Sequence, residues 1–227
     1  MDRIRVGVNG YGVIGKRVAD AVHAQPDMHL VGVADIVTDW RIQSAVPRLP
    51  VFAATPDAHS GMVDTGIRPE GTLDDLLAQS DVIVDTTPKH VAAGNLPRYQ
   101  AAGVKVIVQG GEAHSTTGHS FVAQANYATA LGRDLTRVVS CNTTSIVRVL
   151  GALENAGLLL RARGVLIRRA TDPWESHLGG IMNTMVPEPV IPSHQGPDAK
   201  TVLPDLDVVT IAAKGAHTQT HNRLCAF

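Results

Sequence analysis

The sequence predicts an α/β protein built on a doubly wound parallel sheet, and three observations carry that reading. In the N-terminal half, short β-branched runs alternate with alanine-rich amphipathic stretches. A glycine-rich turn, Gly10-Tyr11-Gly12-Val13-Ile14-Gly15, joins the first run to the first amphipathic stretch. Beyond residue 157 this texture gives way to a proline- and glycine-bearing region. Strand and helix in alternation favour parallel strands with helices on both faces. Such sheets bind ligands at the carboxyl ends of their strands.

Taken in order, Ile4 to Asn9 is apolar at every second position or better and reads as a strand. Val13 to Ala24 places Val13, Ile14, Val18, Ala21 and Val22 at helical spacing. Leu30 to Ala34 reads as a strand, Val51 to Ala54 as a weaker one, and Leu73 to Ala78 as a short helix entered through Thr72. Val82 to Val84 is a buried-type strand ending at Asp85. Val91 to Ala102 is helical, with Gly103 as its stop signal. Val104 to Val108 and Thr136 to Ser140 are further strands, and Thr143 to Ala156 a further helix. Val165 to Ile167 makes a strand running into Arg168-Arg169, and Val208 to Ala213 one more. The expected domains are residues 1–140 and 141–227.

Composition narrows the function classes. The 227 residues are 44% hydrophobic, which suffices for one large domain or two small ones. Twenty basic against 21 acidic side chains argue against a dedicated nucleic-acid binder. An aromatic content of 4% fits poorly with stacking on single-stranded bases. No apolar run reaches the ~18 residues of a membrane helix, and Asn9 and Gly10 interrupt the N-terminal run before it resembles a signal peptide. The two cysteines, Cys141 and Cys225, form no disulfide framework. A soluble cytoplasmic protein without nucleic-acid or membrane partners is expected.

The glycine turn follows a strand and opens a helix, the context that the dinucleotide fingerprint requires. Gly10 permits the tight turn, Gly12 lets the backbone approach a pyrophosphate, and Gly15 lets helix and strand pack closely. Amides at the helix N-terminus suit the phosphates. Asp35 closes the second strand about 20 residues beyond the last glycine, where an acidic residue binds ribose hydroxyls. The alternative is a strand-to-helix turn that binds nothing. Asp35 favours NAD over NADP, whereas Arg41 offers a partner for a 2′-phosphate, so NAD or NADP stays open.

Ser140-Cys141-Asn142-Thr143-Thr144 lies between a strand and a helix. A helix N-terminus favours thiolate over thiol, which makes Cys141 a candidate nucleophile; a buried inert cysteine is the alternative. Such a nucleophile needs a base, and His177, His194, His217 and His221 lie downstream. His217 and His221 are four residues apart, but no carboxylate completes a metal set, so no metal is expected. His90, His114 and His119 are expected at the surface. Arg168-Arg169 suits a phosphate or, equally, a solvated pair with Asp172 as counter-ion.

As a set, these segments resemble the archaeal-type (type II) phosphorylating glyceraldehyde-3-phosphate dehydrogenases. The resemblance rests on Val8 to Val18, Gln109-Gly110-Gly111-Glu112, Phe121 to Tyr127, Val139 to Thr144, Arg168 to Pro173 and Ile191 to His194, in the family's order. It implies a Rossmann-type NAD(P)-binding domain followed by an incomplete α+β substrate domain. It also implies oxidation of glyceraldehyde 3-phosphate, with inorganic phosphate, to 1,3-bisphosphoglycerate through a thioester on Cys141, a step of glycolysis and gluconeogenesis. By resemblance, Val13, Ile14, Gly111 and Arg169 contact the cofactor, beside the Gly10, Gly12, Gly15 and Asp35 that the fingerprint assigns to it. Ser140, Cys141, Asn142, His194 and Gln195 surround the substrate, and His221 aligns with the general base. Gln195 departs from the family's second histidine there. The family continues past Phe227, so a C-terminally truncated member is expected, with an inactive NAD(P)-binding relative as the alternative. A homotetramer is implied if the family's assembly is retained.

Overall fold

The computed structural model describes residues 3–109, 111–169, 184–215 and 223–226. The chain divides into two compact units, residues 1–119 with 130–138 and residues 120–129 with 139–227. The division expected at 140/141 does not include the excursion of residues 120–129.

In chain order the first unit contains β1 (Ile4–Asn9), α1 (Val13–His23), β2 (Met28–Asp35), α2 (Trp40–Gln43), β3 (Val51–Ala53), α3 (Pro56–Asp64) and β4 (Gly71–Thr72). There follow α4 (Leu73–Ala78), β5 (Val82–Asp85), α5 (Val91–Ala102), β6 (Lys105–Val108) and α6 (His114–Thr117). The short β7 (Ser120–Phe121) and α7 (Ala123–Ala130) lead to β8 (Leu135–Val138). The first unit's strands follow the order β4-β3-β2-β1-β5-β6-β8. Their registered pairs are all parallel. This is a Rossmann-type doubly wound sheet. Strand order reverses between β1 and β5, and that switch point is where sheets of this class open a ligand crevice.

Alternation along the strands loads both faces. Val6, Val8, Leu30, Val33 and Val84 pack with Ala19 and Val22 of α1, Ile42 of α2 and Met62 of α3. Val31, Ala34, Ile83, Val106 and Val108 pack with Leu73, Leu76 and Leu77 of α4 and with Ala92 and Tyr99 of α5. A continuous apolar strand covered on both faces is the mark of a buried parallel sheet.

At the switch point a polar network replaces apolar packing. The fully buried Asp85 carboxylate ends β5. It accepts the Thr87 amide at 2.9 Å and the Thr87 hydroxyl. It also accepts Asn95 Nδ2 at 3.2 Å and the Tyr99 hydroxyl at 2.6 Å. The Tyr99 oxygen in turn accepts Asn9 Nδ2 at 2.7 Å, which ties β1 to the same network. Burial, and then the charge of Asp85, push the Tyr99 phenol above its usual range.

The second unit has a four-stranded sheet built from β9 (Ala162–Arg169), β10 (Met185–Pro187), β11 (Val208–Gly215) and β12 (Arg223–Ala226), in the order β10-β11-β9-β12. β9 and β11 are parallel and the outer pairs antiparallel, which makes this an α+β arrangement. Two helices, α8 (Cys141–Asn155) and α9 (Gln195–Lys200), belong to it. Ile146, Val147 and Leu150 of α8 pack with Ala199, Leu166, Val208 and Ala212.

Some elements differ from the sequence reading. Helix α8 begins at Cys141, two residues earlier than its apolar periodicity suggests, because Ser140 caps it. Helix α3 carries a mixed Asp-Ala-His-Ser-Gly stretch that hides its period, although Thr55 caps it and Pro56 opens it. The short α2, β4, α6, β7 and α7 fall below the length at which periodicity registers. His119, expected at the surface, is buried, with Nδ1 2.7 Å from the Thr136 hydroxyl. Desolvation pushes this imidazole below its usual range.

Replacing Tyr99 by Phe removes the hydroxyl between Asn9 and Asp85 and is expected to cost about 1–3 kcal/mol in urea unfolding. The native state holds the Tyr99 proton more tightly, so the unfolded chain releases it first. Wild-type stability should therefore fall as pH rises above about 10, and Tyr99→Phe should lack that component.

Candidate functional site

In the first unit the candidate site forms where β1 meets α1. The Gly10 amide donates to the Ala34 carbonyl at 2.7 Å, and Gly10 has φ +94°, a conformation open to glycine. Thr86, just past β5, donates its hydroxyl to the Gly10 carbonyl at 2.7 Å and its amide to the Asn9 carbonyl at 2.8 Å. A Cβ on Gly15 would lie 1.9 Å from the Gly10 carbonyl oxygen, so the helix can approach the turn only with glycine there. A Cβ on Gly12 would meet nothing within 4 Å. Gly12 is the N-cap of α1, and no side chain caps that helix. Its first amides are left to solvent or an anionic ligand. Val13 and Ile14 are exposed on the same turn.

Asp35 has a second duty here. One carboxylate oxygen accepts the Tyr11 amide at 2.6 Å, and the other accepts the amides of Ile36 at 2.7 Å and Val37 at 3.1 Å. It thereby anchors the glycine turn to the end of β2. Arg41 is engaged by Asp39, its Nη2 2.7 Å from the carboxylate. Those hydrogen bonds hold the Asp39 carboxyl below its usual range. Gly111 follows β6 with φ +83° and stands open to solvent. The Arg169 side chain and Gly110 lie outside the described residues.

In the second unit Ser140 caps α8, its hydroxyl accepting the Thr143 amide at 3.2 Å and lying 2.9 Å from the Thr143 hydroxyl. This places Cys141, a free and exposed cysteine, at the first position of a 15-residue helix. The Thr143 hydroxyl donates to Asp198 at 2.9 Å and so joins α8 to α9. His194 is the exposed N-cap of α9, and Gln195, its first residue, is fully buried. Thr210 Oγ1 accepts the Gly196 amide at 2.9 Å and lies 2.8 Å from Ser193 Oγ, which fixes the turn that carries both. Among the described residues, Oδ1 of the buried Asn142 and both amide atoms of Gln195 lack hydrogen-bond partners. Buried polar atoms of this kind call for an explanation, and water or a ligand supplies one. His177, His217 and His221 lie outside the described residues.

The structure thus gathers Gly10, Gly12, Val13, Ile14, Gly15 and Asp35 at one turn. It gathers Ser140, Cys141, Asn142, His194 and Gln195 on two helix starts joined by Thr143 and Asp198. The sequence reading did not single out Thr86, Thr210, Asp198 or the Asn9–Tyr99–Asp85 network. Only Asp85, a carboxylate closing an apolar strand, carried a visible signal.

Residues 4–143 match the family described as dihydrodipicolinate reductase, N-terminus. The chain is 45% identical over 222 residues to the glyceraldehyde-3-phosphate dehydrogenase of Methanococcoides burtonii, covering 97% of this chain and 66% of that one. It is 44% identical over 228 residues to that of Archaeoglobus fulgidus, covering 99% and 67%. The chain belongs to the archaeal glyceraldehyde-3-phosphate dehydrogenase family. It spans about two thirds of the length of these relatives. The match to the reductase family covers the first unit and ends at the start of α8. Aspartate semialdehyde dehydrogenase of Candida albicans, solved with NADP, shares the fold at a TM-score of 0.61, with 13% identity over 99% of this chain and 71% of that one.

The three glycines of the fingerprint separate by experiment. Gly15→Ala must displace the Gly10 carbonyl and is expected to lose about 1–3 kcal/mol of stability. Gly12→Val should change the stability read by urea unfolding by less than about 1 kcal/mol, because nothing crowds a Cβ there, while abolishing nucleotide binding in a calorimetric titration with NAD and NADP.

Proposed function

We propose that the chain serves the phosphorylating oxidation of D-glyceraldehyde 3-phosphate to 1,3-bisphosphoglycerate with NAD or NADP, as in glycolysis and gluconeogenesis. The observation that carries this reading is Cys141, exposed at the capped start of α8, in a chain 44–45% identical over nearly its whole length to dehydrogenases of that name. The relatives' names favour a working dehydrogenase over a nucleotide-binding relative without turnover.

The fit of a dinucleotide rests on the open face at Gly12, the uncapped start of α1 and the Asp35 anchor. Gly10, Gly12, Val13, Ile14 and Gly15 would hold the pyrophosphate, Asp35 the ribose, and Gly111 and Arg169 further parts of the cofactor. The Cys141 thiolate adds to the aldehyde carbon as the C=O π bond opens, and protonated His221 gives the oxygen its proton, which leaves a thiohemiacetal and a neutral imidazole. His221 takes the hydroxyl proton as that carbon is oxidised. NAD(P), when bound, would serve as the hydride acceptor, and Cys141 would hold the oxidised carbon as a thioester. Phosphate then attacks the acyl carbon, the C–S bond breaks, and Cys141 departs as thiolate. Ser140, Asn142, His194 and Gln195 bind the substrate. Gln195 brings a hydrogen-bonding amide to the place of the family's second histidine.

The same reading includes a cytoplasmic location and, with the family's assembly retained, a homotetramer. No helix among the described residues is long and apolar enough to cross a membrane.

The test is formation of NADH or NADPH by the purified chain with glyceraldehyde 3-phosphate, with and without phosphate. Turnover should require phosphate, and Cys141→Ser should lower it on the order of 10⁴-fold or more. Brief alkylation with iodoacetamide followed by peptide mapping should label Cys141 ahead of Cys225. Turnover that survives Cys141→Ser, or that ignores phosphate, would overturn the mechanism.

A further inference from the structure

One cation of the first unit is held by two aromatic rings and a hydroxyl rather than by a carboxylate. Lys16, on α1, places Nζ 5.3 Å from the ring centre of Tyr11 and 5.3 Å from that of Trp40. Its third contact is Ser44 Oγ, at 3.2 Å. Trp40 is 70% exposed, so core packing does not account for it. An ammonium against aromatic faces is attracted by the ring quadrupoles.

The charges around it are differently committed. Arg41 and Asp39 close on one another, with Arg41 Nε 2.9 Å and 3.0 Å from the two carboxylate oxygens. Asp35 spreads its charge over three main-chain amides. Among the described residues Lys16 has no carboxylate within ion-pair distance. All four groups share one patch: Asp39 feels the charge of Lys16, and Arg41 feels that of Asp35. Tyr11 links the two ends of the patch, its ring on Lys16 and its amide on Asp35.

The acidic residue that ends the second strand marks where the adenosine ribose lies. A 2′-phosphate there would meet a carboxylate already occupied by amides, an arginine already paired and a lysine that is not. We propose that Lys16, held by Tyr11, Trp40 and Ser44, is the 2′-phosphate-recognising residue of this site, so that the protein accepts NADP in spite of Asp35 and without calling on Arg41. The proposal rests on the nucleotide-binding reading above and adds the specificity of that site.

The experiment is calorimetric titration of the full chain with NAD and with NADP at two salt concentrations, for wild type, Lys16→Met, Lys16→Arg and Arg41→Ala. Methionine keeps the length and apolar stem of Lys16 without its charge. Lys16→Met should weaken NADP binding about ten- to a hundredfold, the worth of one charged hydrogen bond, and leave NAD within about twofold. Lys16→Arg should keep most of the NADP affinity, and Arg41→Ala should leave the NADP-to-NAD ratio unchanged. Wild-type NADP affinity should fall more steeply with salt than NAD affinity. That salt comparison needs no variant, and if Lys16→Met fails to fold, it is read together with Lys16→Arg and Arg41→Ala to separate Lys16 from Arg41. Equal salt slopes, equal losses for both cofactors in Lys16→Met, or a ratio that moves only with Arg41→Ala would overturn the proposal while leaving nucleotide binding intact. A wild type that binds neither cofactor would overturn the nucleotide reading and this proposal with it.

Discussion

A carboxylate with no surface of its own must be given donors or lose its charge, and Asp85 occupies that position at the reversal of strand order. Four donors meet it, from Thr87, Asn95 and Tyr99, two of them on α5. Satisfying it places α5 relative to β5, and through Tyr99 and Asn9 it places the end of β1. Thr86, between Asp85 and Thr87 in sequence, then reaches the Gly10 carbonyl. The glycine turn is thus positioned from beneath by a buried polar network as well as by its own conformation. A half-satisfied network of this kind is costly, which binds its members to one arrangement.

Most of the first unit was legible because its physics is local. β1, α1, α4, β5 and α5 announce themselves by period, by caps and by Gly103, and the parallel order follows from their alternation. The glycine turn was legible because each glycine answers a steric demand. What stayed hidden depends on contacts far apart in sequence. Asn9 and Tyr99 are 90 residues apart, and Thr143 and Asp198 are 55 apart. His119 read as a surface residue because one polar side chain beside glycine resembles a loop; its burial comes from Thr136, a partner no local pattern reveals.

The cysteine-bearing half was legible in a different way. Ser140 to Thr144 shows as a polar turn before a helix, but the capping geometry moves the helix start onto Cys141 itself. The turn that carries His194 and Gln195 depends on Thr210 of β11, which sequence reading treated only as strand. Proline and glycine in that region masked α9, a six-residue helix with no apolar period to detect.

The three glycines of the fingerprint do not age alike under drift. Gly10 and Gly15 are held by the protein's own backbone, through a positive φ and a carbonyl 1.9 Å from a would-be Cβ, and a descendant that had abandoned its nucleotide would still need both in order to fold. Gly12 answers to no protein atom. It is the one position of the motif free to accept a side chain once the ligand is no longer selected for. In a divergent chain of this architecture, the outer glycines record ancestry of the fold, and the middle one records whether the binding function is still in use.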